Sequence, residues 1–295
     1  MKNENFVGIF PYLVTPLDET GRLKEDVLAD LVDHLIRKDV HGLTPLGSTG
    51  EGVYLDWSTK RRVVELVVQT ARGRVPVVAG VTNITTQGAV REAVETERLG
   101  ADGILLVLPS YFPVSNQQVV AHFSAVAKAV SCPVVAYTNP KFAAWDFNLE
   151  TLGRLADLPN IRYLKDASGD IGKLMSIVTT FKDRFKVFSA TAHVPVFVFM
   201  LGGVGWMSGP ACLIPQQSIS LYDLSVQKKW EEALALQMKL WPLNVAFQRY
   251  SLAACVKAGL EMQGFPVGPP LPPQKQLDEQ ERRVVRGILQ DIGAL

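Results

Sequence analysis

The chain has 295 residues, of which 47% are hydrophobic and 20% charged, with a formal net charge of +1. That length and apolar content suffice for a large buried core, enough for one barrel and an appendage. The balanced charge gives no electrostatic case for nucleic acid or an anionic membrane, and no uncharged apolar stretch of about 18 residues offers a span.

In chain order, an apolar run at 8–13 precedes a helical pattern at 24–38. A second run at 42–46 leads into Gly47-Ser48-Thr49-Gly50-Glu51-Gly52, ahead of a helical pattern at 58–71. Glycines flanking Ser-Thr let the backbone turn and point N–H groups into a concavity suited to an anion, although ordinary loops share the pattern. The Gly-x4-Gly-Lys-Ser/Thr spacing of a P-loop is missing. Runs at 75–80 and 103–108 alternate with helical patterns at 86–99 and 116–129, and Tyr111 follows the second of these runs. The run at 133–137 ends in Tyr137 and the turn signal Asn139-Pro140, before a helical pattern at 149–156.

The next run, 161–165, closes on Lys165 and is followed at once by Asp166-Ala167-Ser168-Gly169-Asp170. An ammonium at the end of a buried strand must leave water, which is costly unless it is paired or deprotonated. The same desolvation lowers an amine's pKa and frees it to attack a carbonyl, as a Schiff-base lysine must. The bland alternative is a lysine that snorkels to the strand mouth or pairs with Asp166.

Helical patterns at 171–180 and 194–201 alternate with runs at 185–189 and 203–208. Their ends, Ser189-Ala190-Thr191 and Met207-Ser208-Gly209, are expected to line the same face as Lys165, while Trp206 points the other way into the core. From 215 onward the chain reads as helices at 216–224, 226–239, 245–263 and about 276–291, broken by a proline-rich turn at 264–273.

Short strands alternating with amphipathic helices argue for parallel βαβ units, and eight of them point to an α/β (β/α)8 TIM barrel with a C-terminal helical appendage. The expected division is 1–224 for the barrel and 225–295 for the helical region. No Gly-x-Gly-x-x-Gly follows a strand, so a dinucleotide fold has no support. In such a barrel the site lies at the C-terminal face of the strands, where Lys165, Tyr137, Tyr111, Ser48 and Thr49 converge. The four histidines are scattered without ligand spacing, so no metal is expected, and His34 and His122 read as structural. Residues 1–5 lack the apolar region of a signal peptide, and Cys132, Cys212 and Cys255 show no disulfide framework; a cytoplasmic location is expected.

The ordered set of Gly47-Ser48-Thr49-Gly50-Glu51, the Tyr137 strand end and the Lys165 strand end resembles the dihydrodipicolinate synthase / N-acetylneuraminate lyase family of class I aldolases, from about Phe6 to Gly209. The resemblance implies that Lys165 forms a Schiff base with pyruvate or another 2-oxo acid, with no further cofactor. It implies that Tyr137 acts as acid and base, Ser48 relays protons, and Tyr111 reaches into a neighbouring subunit's site. Gly47, Ser48 and Thr49 would hold the substrate carboxylate, and Glu51 would be structural. It also implies a homotetramer built from dimers.

Departures from the family pattern narrow the expectation. Dihydrodipicolinate synthases proper carry an arginine five residues after the strand-end tyrosine; here Phe142 stands there, and a phenyl ring cannot supply a bidentate fork for a carboxylate. Lys141 is adjacent, and Ala143, Ala144 and Trp145 are expected near the mouth with Phe142. Where feedback-sensitive members bind lysine, this chain has Trp57, Lys60 and Gly88. The expected function is therefore a 2-oxo-acid aldolase, lyase or dehydratase with an aldehyde partner, of the 2-keto-3-deoxy sugar acid kind, with Asn139 and Thr191 bonding hydroxyls and Ala190 and Met207 lining the pocket. Lysine-pathway 4-hydroxy-tetrahydrodipicolinate synthesis is one alternative, and a non-catalytic ligand-binding barrel is another. A barrel holding pyridoxal phosphate on Lys165 is a third.

Overall fold

The computed structural model describes residues 5–295. Most of the stretch read for a signal peptide therefore lies outside the described residues. Seven strands form one parallel sheet: β1 (Gly8–Pro11), β2 (Val78–Thr82), β3 (Gly103–Val107), β4 (Val134–Thr138), β5 (Ile161–Asp166), β6 (Lys186–Ser189) and β7 (Gly205–Ser208), in the order β1-β7-β6-β5-β4-β3-β2. Between and after them lie α1 (Glu25–Arg37), α2 (Trp57–Ala71), α3 (Thr86–Arg98), α4 (Asn116–Ala129), α5 (Pro140–Ala143), α6 (Leu149–Ala156), α7 (Ile171–Phe181), α8 (Pro195–Met200), α9 (Pro210–Leu213), α10 (Pro215–Val226), α11 (Trp230–Arg249), α12 (Leu252–Met262) and α13 (Glu279–Asp291).

The expected strand at 42–46 is not a regular strand, yet it occupies the eighth place. Leu43 and Thr44 make isolated parallel bridges to Val77 and Tyr12. Amides of Leu13, Val78 and Gly80 donate to the carbonyls of Thr44, Leu43 and Pro45, so this segment joins β1 to β2 and closes the barrel. Pro45 has no N–H to extend the ladder, which keeps the contact short.

The barrel interior is filled by inward residues at period two. Phe6, Phe10, Val78, Leu105, Val135, Tyr163 and Phe188 form the lower layers, with Phe6 stacked on Tyr163 at 5.1 Å and Phe10 edge-on to Phe188 at 5.5 Å. One register above them stand Tyr12, Tyr137, Lys165 and Met207.

A bulge decides which of these side chains meet. Val134 pairs with Ile161, but Val135 pairs with Tyr163, skipping the exposed Arg162. That single extra residue brings Tyr137 into register with Lys165, both facing inward; without it their faces would alternate out of step.

The last helices run differently from expectation. α11 continues from Trp230 to Arg249 straight through Pro242, and the chain breaks instead at Tyr250–Ser251, where the Ser251 side chain caps α12. The proline-rich segment at 264–273 is non-helical, as its composition requires. No helix among the described residues is long and apolar enough to cross a membrane.

Candidate active site

Lys165 is the last inward residue of β5 and is only 3% exposed. Its Nζ sits 3.7 Å from the centroid of the Tyr137 ring and 4.5 Å from that of Tyr12. Burial pushes the amine well below the ordinary lysine range, and the Asp166 charge opposes it to a lesser degree. Asp166, the next residue, faces outward and gives Oδ2 to Lys173 Nζ at 2.6 Å and Oδ1 to the Ser168 amide at 2.9 Å. Lys173 reaches it from the first turn of α7, whose N-cap Asp170 accepts from the Lys173 amide. It also binds Asp146 Oδ1 at 2.6 Å.

Tyr137 is buried, and its hydroxyl shares hydrogen bonds with Ser48 and with Asn139 Nδ2, the latter at 3.1 Å. Burial raises its pKa, while those two bonds oppose the rise. The phenol therefore stays protonated at neutral pH and can donate or relay a proton. Asn139 is committed at both ends: it caps α5 by accepting from the Lys141 amide at 3.2 Å and donates to Tyr137. Its place is thus behind Tyr137, and a substrate hydroxyl would have to compete for it.

The loop Gly47–Glu51 forms a 3-10 turn over Ser48–Gly50. The amides of Ser48 and Thr49 begin that turn and have no acceptor within it, which leaves donors for an anion. Ser48 is exposed on the cavity wall, whereas Thr49 is buried beneath Gly209 with no partner for Oγ1. Gly47 packs against the Tyr12 ring so closely that a β-carbon would come within 2.5 Å of it. Glu51 is structural. It adopts a left-handed conformation, φ 55°, accepts from the Leu271 amide and Gln274, and forms a buried ion pair with Lys257 Nζ at 2.5 Å. This pair ties the loop to α12 and the proline-rich segment.

A cavity of about 440 Å³ opens above Lys165, lined by Tyr12, Ser48, Tyr137, Asn139, Ala190, Thr191 and Met207. Its outer wall comes from α11 and α12, through Asn244, Phe247, Gln248 and Ser251. A neighbouring cavity of about 390 Å³ adjoins it at Ser48, Tyr137 and Phe142. Thr191 Oγ1 and the buried Asn244 Nδ2 have no hydrogen-bond partner among the described residues. Phe142 is 63% exposed at the mouth, between the two cavities. Trp145 is not at the mouth: Ala144 turns the chain left-handed, and Trp145 is drawn into the outer core, donating to the Leu108 carbonyl at 2.8 Å. Tyr111 does not line its own chain's cavity; it projects from the loop after β3, 88% exposed, beside the exposed Phe112.

Two features escaped the sequence reading. Tyr12 is the last inward residue of the run at 8–13, as Tyr137 is of its own, so the same strand-end signal was present. Asn244 comes from a helix outside the barrel, where strand ends give no clue. At the place where feedback-sensitive members bind lysine, Lys60 Nζ pairs with Glu92 at 3.2 Å, and Asn83 donates to the same carboxylate.

Comparison with known proteins agrees with this geometry. The model of the dihydrodipicolinate synthetase family matches residues 5–292. A 4-hydroxy-tetrahydrodipicolinate synthase of Methanopyrus kandleri is 33% identical over 290 residues, covering 98% of this chain and 97% of that protein. An uncharacterized DapA-like lyase of Halobacterium salinarum is 34% identical, covering 98% and 94%. The crystal structure of dihydrodipicolinate synthase from Agrobacterium tumefaciens superposes with a TM-score of 0.92 at 31% identity, covering 97% and 98%. With a barrel of that shape matched from end to end, the chain belongs to the dihydrodipicolinate synthetase family, a family of class I aldolases and lyases.

Proposed function

We propose that this protein is a Schiff-base lyase that joins or cleaves a 2-oxo acid and an uncharged, hydroxylated aldehyde, as in 2-keto-3-deoxy sugar acid chemistry. The observation that carries the reading is the buried Lys165 amine beside the Tyr137 phenol, without an ion-pair partner among the described residues. The neutral amine adds to the 2-oxo carbon of pyruvate or a related acid; loss of water gives an iminium, which acidifies the adjacent carbon. Tyr137, bonded to Ser48, is placed to move protons in those steps. The amides of Ser48 and Thr49 are the donors offered to the carboxylate.

The choice of second substrate rests on the cavity wall. Phe142 brings no charge, and Thr191, Asn244, Gln248 and Ser251 bring neutral polar groups suited to hydroxyls. A second reading, 4-hydroxy-tetrahydrodipicolinate synthesis, is favoured by the names of relatives and by Lys141 on the same wall. An aldehyde screen with pyruvate separates them: turnover of neutral polyhydroxy aldehydes over aspartate semialdehyde supports the first reading, and the reverse preference supports the second.

The resemblance extends to assembly. Leu234, Met238, Trp241 and Val245 form an exposed stripe along α11, next to the exposed Phe197 and Met200 of α8. Such a surface suits burial between copies in a homotetramer, with Tyr111 crossing to a neighbour's site. A cytoplasmic location completes the proposal.

A further inference from the structure

Tyr12 brings a second aromatic face to the Lys165 nitrogen. Tyr137 approaches that nitrogen from β4, and Tyr12 approaches it from the end of β1 with its centroid at 4.5 Å. Tyr12 is 2% exposed and wedged against the Gly47 backbone, where even a β-carbon would collide with it. The ring therefore holds its position. Among the described residues no carboxylate pairs directly with this nitrogen: Asp166 accepts from Lys173 and the Ser168 amide and reaches Lys165 only through space.

The chemistry proposed for Lys165 nevertheless creates a positive charge at this nitrogen. The amine lone pair adds to the 2-oxo carbon and the carbonyl oxygen takes a proton. The nitrogen then gives one of its protons to that hydroxyl, and water leaves as the freed lone pair forms the C=N bond. In sum, a neutral amine, the oxo acid and one proton give an iminium and one water, with the positive charge on the nitrogen. A cation over a tyrosine face is stabilised by the ring quadrupole, and more strongly when desolvated.

We propose that Tyr12 is a catalytic residue, its ring adding to that of Tyr137 a second π face that stabilises the iminium formed on Lys165. This rests on the Schiff-base reading of the site. The phenol of Tyr12 is kept neutral by burial and by the neighbouring Tyr137, so its ring faces the cation as an uncharged π system. Its hydroxyl is not required for the effect.

The test compares Tyr12→Phe, which keeps the ring, with Tyr12→Leu, which removes it, and with Tyr12→Met as a bulkier control should the leucine variant misfold. The rate of borohydride trapping with pyruvate should stay within about threefold of wild type for Tyr12→Phe and fall about tenfold for Tyr12→Leu or Tyr12→Met. Equal rates in all variants, or an equal loss in Tyr12→Phe, would overturn the proposal. A second readout needs no substrate: the 13Cε titration of Lys165, assigned with Lys165→Arg, should move about one unit lower in Tyr12→Leu and hold in Tyr12→Phe. An unmoved titration overturns the π contact. A moved titration in a protein that traps no 2-oxo acid would leave the contact standing and remove its catalytic role along with the Schiff-base reading.

Discussion

Asp166 adjoins Lys165 in sequence yet gives its carboxylate to Lys173, 2.6 Å away. Strand alternation sends the two side chains to opposite faces of β5, and the cap at Asp170 seats α7 so that Lys173 meets the acid. The lysine at the strand end is thus buried without a direct ion-pair partner among the described residues, and its amine is available as a base and nucleophile.

That arrangement predicts the pH dependence of the first chemical step. The titratable groups about Lys165 are Tyr12, Tyr137 and Asp166, and burial dominates, lowering the amine's pKa. The neutral form persists as pH falls until that depressed pKa is reached, and Tyr137, with its raised pKa, stays protonated into the alkaline range. Trapping with a 2-oxo acid should therefore reach its plateau at a pH well below the ordinary lysine range. A rate that climbs tenfold per pH unit from 7 to 10 would show an ordinary solvated amine.

On the proposed function, Phe142 sets the charge preference for the second substrate. Phe142→Arg places a guanidinium fork at the mouth, and kcat/KM for a carboxylate-bearing aldehyde should rise by about tenfold or more, with little change for a neutral one. Competition kinetics with aspartate semialdehyde and a neutral hydroxyaldehyde measure this directly. An equal effect on both would show that Phe142 does not touch the second substrate.

The Glu51–Lys257 pair is an internal tether. Lys257→Met leaves a buried carboxylate uncompensated and should cost about 3–5 kcal/mol. The double change Glu51→Gln with Lys257→Met should recover much of that loss, since neither charge then remains buried. Denaturant unfolding of the two single variants and the double variant checks it; simple additivity would mean that the pair is not coupled.

Much of this was legible in the sequence. The period-two and period-3.6 alternation gives the barrel, and the strand-end rule gathers Lys165, Tyr137, Ser48, Ala190, Thr191 and Met207 around one cavity. The same rule applied to 8–13 marks Tyr12. The remainder depends on relations between distant segments. The bulge at Arg162 is a register between two strands, and no local pattern encodes it. The segment at 42–46 closes the barrel with isolated bridges because Pro45 cannot donate. α11 runs through Pro242 because packing against the barrel outweighs one lost hydrogen bond, so a local breaker misplaces the helix end. Asn244 reaches the cavity only through that packing.

The most direct test is intact mass after incubation with pyruvate and borohydride, followed by peptide mapping. One reduced adduct per chain is expected, on Lys165, abolished in Lys165→Met. A folded protein that forms no adduct with pyruvate or larger 2-oxo acids, or forms it elsewhere, would contradict the Schiff-base role of Lys165.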